Sequence, residues 1–310
     1  MVQSHERRSI SVVTPVYNGE ASIGELCRRL EEVLPRISAQ HEIILVNDGS
    51  RDGSWDIISE LCSRWPALRG LNLMRNYGQH NALLCGVRAA KYDLVVTMDD
   101  DLQHPPEEIP RLLTRLEEGF DVVYGVPKVE QRGVMRALAS RITRLALRAA
   151  VGIDVAKNVS AFRVFRTQLR EAFAAYQSPF VSIDVLLTWA TTRFGATTVT
   201  FQPRHSGSSN YTFTKLVRHA LDMMTGFSTA PLQLASLIGF TCTLFGLAVF
   251  IYVFVRYCLE GSVPGFPFLA SIIAIFSGAQ LFALGVIGEY LARMHFRSMK
   301  RPAYVVRTTI

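Results

Sequence analysis

Two uncharged stretches near the end of the chain constrain its fold more than any other feature. LQLASLIGFTCTLFGLAVFIYVFV runs for twenty-four residues from Leu232 to Val255, and FPFLASIIAIFSGAQLFALGVIG for twenty-three from Phe266 to Gly288. Each exceeds the roughly 20 residues an α-helix needs to cross about 30 Å of hydrocarbon. Buried core helices of that length are a poor alternative, so a transmembrane pair is expected. Lys215 and Arg218 precede the first stretch, and Arg293, Arg297, Lys300 and Arg301 follow the second. The connecting RYCLEGSVPG carries only Arg256, offset by Glu260. Because Lys and Arg remain on the cytoplasmic side, both ends and everything before residue 230 are expected in the cytoplasm of an inner- or plasma-membrane, multi-pass protein. The opening MVQSHERRSISVV holds no apolar run of signal-peptide length.

The net charge of +7 calls for an anionic neighbour. No basic stripe with interleaved aromatics occurs before residue 200, so a lipid bilayer surface is expected as partner and nucleic acid is not. Cys27, Cys62, Cys85, Cys242 and Cys258 have no CxxC or other metal-ligand spacing and read as isolated thiols in a reducing compartment.

Before the membrane stretches the chain alternates. SISVVTPVY, HEIILVNDGS, LRGLNLMRN and YDLVVTMDDD read as strands; SIGELCRRLEEVLPRI, GSWDIISELCSRW, NALLCGVRAA and PEEIPRLLTRLEEG read as helices. That order predicts an α/β domain with a mainly parallel sheet. Ligands of such sheets bind outside the carboxyl ends of the strands. Tyr17-Asn18, Asn47-Asp48, Arg75-Asn76 and Asp99 to Asp101 all fall at such ends. Neither GxGxxG nor GxxxxGK[ST] is present, which removes the Rossmann fingerprint and the P-loop.

Three consecutive aspartates after a hydrophobic strand are costly unless a ligand offsets their repulsion. In an extended segment Asp99 and Asp101 share a side while Asp100 points away. Two carboxylates, with the Gln103 carbonyl beyond them, suit Mg²⁺ or Mn²⁺ with positions left for water and phosphate. On spacing alone a solvated acidic loop is equally open.

TPVYNGEASI, ILVNDGSRDGS, LMRNYGQHNALLCG and MDDDLQHPPEE, in that order, resemble family 2 glycosyltransferases of the GT-A fold. More narrowly they resemble the polyprenyl-phosphate glycosyltransferases, with RHSGSSNYTFTKL and two C-terminal spans ending in GEYLAR extending the likeness to the tail. The resemblance implies a GT-A nucleotide-sugar-binding domain over 1–212, a juxtamembrane amphipathic helix over 213–229, a two-helix transmembrane hairpin over 230–288 and a basic tail over 289–310. It implies inverting transfer from a UDP- or GDP-linked sugar to a polyprenyl phosphate, with a β-linked product. A homo-oligomer, with a tetramer as one form, is implied in the same way.

Residue by residue, the resemblance assigns Pro15, Tyr17, Glu20 and Asp48 to the base and ribose, with Arg75 and Asn76 lining the same pocket. It assigns Asp99, Asp101 and Gln103 to the metal, the two aspartates being catalytic and Asp99 also facing the nucleotide-sugar. Asn-Asp-Gly-Ser is turn chemistry in any protein, and Arg75 has a structural ion pair as its alternative. Arg132, Arg136, Arg163, Arg204 and His205 form the expected cradle for the acceptor phosphate. Some relatives carry Asp in a GDFRL-type segment as a proposed base; here the segment is SAFRVF, with Ala161 in that place. Asp184 is a candidate substitute, with a helix N-terminal carboxylate as its alternative, and Asp100 is another. Many relatives have Lys where Asn210 stands. Arg141, Arg144 and Arg148 border the stripe Val134, Leu138, Ile142 and Leu145, a pattern for a helix on a membrane surface.

A processive polysaccharide synthase needs QxxRW after the aspartates, whereas the only Arg-Trp, Arg64-Trp65, precedes them with Leu61 in the Gln place. Transfer to another acceptor, or a non-enzymatic membrane scaffold, are the remaining alternatives.

Overall fold

A computed structural model describes residues 8–127, 158–202, 229–260 and 265–310. The soluble part holds β1 (Ser9–Val16), α1 (Ile23–Ile37), β2 (Gln40–Asn47), α2 (Ser54–Arg64), β3 (Leu68–Leu73), α3 (Gln79–Ala89), β4 (Leu94–Thr97), α4 (Ile109–Glu117) and β5 (Val122–Pro127). Then follow β6 (Arg163–Arg166), α5 (Ile183–Ala190) and β7 (Phe194–Val199). Two long helices, α6 (Ala230–Glu260) and α7 (Phe266–Ser298), precede the last strand, β8 (Val306–Thr309).

The eight strands form one sheet in the order β7-β5-β6-β4-β1-β2-β3-β8. β1 pairs in parallel with β2 and β4, β2 with β3, and β5 with β7, while β6 and β8 run antiparallel to their neighbours. The alternation of the sequence therefore yields the expected mainly parallel sheet. β1 is central because its neighbours lie on opposite sides in chain order, and the crevice at its carboxyl end is a topological switch point.

Side-chain alternation sorts the strands' residues onto two packed faces. Val12, Val16, Ile43 and Val96 meet α1 and α4 on one face; Val13, Ile44, Val46 and Val95 meet α3 and α5 on the other. Helix α1 follows the same logic: Leu26, Leu30 and Leu34 recur at helical spacing and are fully buried. Gly86 of α3 lies so close to β1 that a Cβ would stand 2.3 Å from the Val13 side chain, which brings α3 tightly onto the sheet. Burial pushes the Cys27 thiol up to about 12, in keeping with an inert core residue.

Helices α6 and α7 contain stretches, Pro231–Leu259 and Ile275–His295, long and apolar enough to cross a membrane. They are not core helices. Leu237, Phe240, Phe250 and Leu281 are each more than 60% exposed, so no protein covers their apolar faces. Helix α7 does not stop at Gly288 but continues for ten more residues to Ser298, carrying Glu289 and Arg293 with it. The chain then turns back. β8 pairs with β3, Gly70 and Ile310 exchange N–H···O bonds of 2.9 and 3.0 Å, and Met74 N–H donates to Val305 O at 2.9 Å. The carboxyl end of the helical pair is thereby attached to the sheet.

Candidate active site

The loops at the carboxyl ends of β1, β2, β3 and β4 interlock through short polar side chains. Asn18, in the left-handed region at φ 56°, accepts from Arg51 N–H at 2.9 Å, and its own N–H donates to Ser50 Oγ at 3.0 Å. Glu20 accepts from Gly53 N–H at 2.9 Å. The first loop is thus zipped to the second. Pro15 is buried within β1, whereas Tyr17, just past the strand, is 47% exposed.

Asp48 faces inward. It is 2% exposed, and its two carboxylate oxygens accept from Tyr77 N–H at 2.7 Å and Gly78 N–H at 2.8 Å. Burial raises its pKa, opposed by those two amides and by the Arg75 charge. Its observed contacts make it the anchor of the third loop, so the turn chemistry of NDGS and the pocket are one feature. Arg75 is exposed, with its guanidinium 4.4 Å from the Tyr77 ring centroid. Arg75 and Asn76 line a recess whose walls include none of Pro15, Tyr17, Asp99 and Asp101.

At the end of β4, Asp99, Asp100 and Asp101 are all half-buried. Asp99 Oδ1 accepts from Gln79 Nε2 at 2.7 Å. Asp101 Oδ1 accepts from Gln103 N–H at 3.1 Å, an Asx-type turn. Asp100 lies against the first loop: a Cβ on Gly19 would stand 2.2 Å from its Oδ2. Gly19 thus permits a close approach that a side chain would block. Leu102 is buried at φ 60°, a left-handed conformation costing an L-residue roughly 1–2 kcal/mol. Strain of this kind collects at functional loops. Among the described residues no group of three or more His, Cys, Asp or Glu could enclose a metal ion. The chain therefore offers two carboxylates and an amide carbonyl, a donor set that fits a hard divalent cation keeping water and ligand phosphate in its remaining positions.

Two neighbours of this loop escaped the sequence reading. His104 is 8% exposed, with Phe162 and Phe201 rings each 5.4 Å away. Burial lowers its pKa against the pull of Asp101, so the imidazole is held neutral. Gln79, at the start of α3, holds Asp99 as described. The signal for His104 was its place directly after Gln103; for Gln79 there was none, because it is distant in sequence.

Arg163 and Asp184 correct the expectation. They are 2% and 4% exposed and form an ion pair with each other, and the Tyr124 hydroxyl donates to Asp184 Oδ1 at 2.9 Å. Burial and the Asp184 charge push the Tyr124 phenol well above its usual value. A salt-bridged, enclosed carboxylate is a poor proton acceptor, and an enclosed guanidinium cannot meet a lipid phosphate. The pair ties β5 and β6 to α5. Ala161 lies beside β4, its carbonyl accepting from Thr97 Oγ1 at 2.9 Å. The residue in the place of the expected acid thus lies against the end of β4, and it is an alanine. Arg132, Arg136, Arg204 and His205, and the 213–228 stretch, lie outside the described residues.

The comparisons with known proteins agree with this geometry. Residues 11–173, which include all four interlocked loops, match Glycosyl transferase family 2. The chain belongs to that family. A Pseudomonas aeruginosa protein named undecaprenyl-phosphate 4-deoxy-4-formamido-L-arabinose transferase is 35% identical over 305 residues, 97% of this chain and 90% of its own. The Shewanella sediminis protein of the same name is 33% identical over 302 residues, covering 96% and 91%. Among solved structures, Mycobacterium tuberculosis glucosyl-3-phosphoglycerate synthase, in complex with Mn²⁺, UDP-glucose and phosphoglyceric acid, aligns at a TM-score of 0.52 and 20% identity. It covers 70% of this chain and 78% of that one, which extends the fold likeness to the soluble domain. The chain is thus a family 2 glycosyltransferase of GT-A fold followed by two helices of membrane-spanning length.

Proposed function

We propose that this glycosyltransferase moves a sugar, with inversion, from a nucleoside-diphosphate sugar to undecaprenyl or another polyprenyl phosphate at the cytoplasmic membrane face. One observation carries the reading most: the acidic edge belongs to a sheet whose last strand, β8, arrives only after two exposed apolar helices. Both ends of that pair must lie on one side of a bilayer, and the Lys and Arg flanking it point to the cytoplasm. A polyprenyl acceptor stays in the membrane, so its transferase has to work at the surface. The names of the relatives give the same acceptor.

Asp99, Asp101 and Gln103 would hold Mg²⁺ or Mn²⁺, which supplies charge neutralisation to the departing diphosphate. Gln79 fixes one carboxylate, and the Asp101 turn with strained Leu102 fixes the other. Pro15 and Tyr17 wall the nucleotide side, Glu20 braces the first loop, and Asp48 sets the height of the third. The acceptor phosphate has its second pKa near about 6 and is mostly dianionic at cytoplasmic pH. It is a nucleophile without help, so Ala161 in the place of an acid and Asp184 in an ion pair are both consistent with transfer that uses no side-chain base. What the protein must supply is aim. Arg132, Arg136, Arg204 and His205 are proposed for that cradle; Arg163 is not.

Membranes holding the protein should be incubated with undecaprenyl phosphate and a panel of UDP- and GDP-sugars that includes nucleotide-linked 4-deoxy-4-formamido-L-arabinose, and the lipid product weighed. One donor should yield a mass increase of one sugar on the lipid phosphate, absent in Asp101→Asn at equal membrane content. A glycosylated soluble product with no lipid product would overturn the acceptor assignment.

A further inference from the structure

A recess of about 220 Å³ lies between the third loop and the point where the chain leaves α7. Arg75, Tyr77, Asn81, Phe180 and Arg301 line it. It is a constructed feature. Asn81, 5% exposed, donates through Nδ2 to Pro179 O at 3.1 Å and to Ala303 O at 2.6 Å, fastening the turn before α5 and the tail after α7 to one helix. Lys300, at φ 48°, ends α7 in the left-handed conformation that caps helices and turns the tail back to the sheet. From the membrane side, the Arg293 guanidinium packs 4.7 Å from the Phe180 ring centroid.

The recess is cationic. No acidic side chain lines it, and among the described residues neither Arg75 nor Arg301 has a carboxylate within ion-pair distance. Guanidinium groups bind phosphate through paired N–H donors, and aromatic walls suit the glycerol or isoprenoid carbons next to it. Its position fits as well. Arg293, near the end of the apolar stretch of α7 at His295, packs on Phe180, a wall of the recess, and the helix itself ends at Ser298, so the recess stands where α7 leaves the expected hydrocarbon layer.

We propose that this recess binds the phosphate of a membrane lipid and so fixes the soluble domain against the bilayer. The proposal rests on the reading that α7 spans the membrane. Two lipids share the required chemistry: an anionic phospholipid, and the polyprenyl phosphate itself before it reaches the acidic edge. Basic recesses at the cytoplasmic face hold such headgroups, and one lost arginine weakens the hold about five-fold.

The test uses the full-length protein in nanodiscs of phosphatidylcholine containing phosphatidylglycerol or undecaprenyl phosphate, with retained lipid counted by native mass spectrometry after transfer to detergent. Wild type should retain one of the two anionic lipids over phosphatidylcholine, and the preferred one identifies the source. Arg301→Ala should lose that preference about five-fold and Arg301→Glu lose it entirely, with both variants resisting alkaline carbonate extraction as wild type does. Equal retention by wild type and Arg301→Glu would overturn the recess while leaving the membrane reading intact. Release of wild type by carbonate would overturn both. Displacement of the lipid by UDP or GDP would assign the recess to the nucleotide and overturn the proposal.

Discussion

Gln79 has a larger effect on the acidic edge than its exposed position implies. Its amide donates to Asp99 Oδ1 at 2.7 Å, so Gln79→Ala removes one of the contacts that orient this carboxylate. A hydrogen bond to a charged group contributes about 1.5 kcal/mol, which predicts a kcat about ten-fold lower. Steady-state kinetics should show that fall with the acceptor KM unchanged; a change in acceptor KM alone would contradict a positioning role. Asp184 makes the opposite case. Asp184→Asn strands the Arg163 charge in the core, and breaking a buried pair costs about 3–5 kcal/mol. The thermal midpoint of the soluble domain should drop sharply; an unaltered midpoint with lost transfer would return Asp184 to the role of base. These two residues mark the limit of what sequence alone conveys. The place of Asp99 and Asp101 at the end of a strand was legible because the apolar run of β4 stops just before them. Partnerships across 20 residues (Gln79 and Asp99) and 21 residues (Arg163 and Asp184) are set by tertiary packing, which spacing does not encode.

At the scale of elements, the alternating strands and helices through α4 were legible because apolar period and turn residues agree there. The strands after it were not, β6 and β8 least of all. RVFR and VRTT are four residues each, too short for a period, and both run antiparallel where alternation predicts parallel pairing. β8 has a definite job: it covers the β3 edge, which would otherwise expose unpaired N–H and C=O groups. Deleting residues 305–310 should leave the acidic edge intact but make the detergent-solubilised protein aggregate and lower its thermal midpoint. Light scattering and a melting curve check this, and an unchanged midpoint would contradict it. The close contact at Gly70, where a Cβ would stand 2.9 Å from the Ile310 side chain, gives a second handle. Gly70→Val should mimic the deletion.

For the whole molecule, a sheet takes its last strand from the chain that leaves a helical pair, and the strands' carboxyl ends carry an acidic loop braced by its neighbours. The apolar stretches made two helices of membrane-spanning length legible in the sequence, although α7 continues beyond the expected boundary at Gly288. The acceptor cradle is an expectation from resemblance alone, because arginines on amphipathic segments serve lipid surfaces and phosphates alike. The central claim is that Asp99, Asp101 and Gln103 hold a divalent cation without which no sugar reaches the lipid. The direct measurement is turnover of polyprenyl phosphate by purified protein in excess chelator, followed by stepwise addition of Mg²⁺ or Mn²⁺. The account predicts no lipid product until the cation is restored, and none at any concentration for Asp101→Asn. Undiminished turnover in chelator would contradict it.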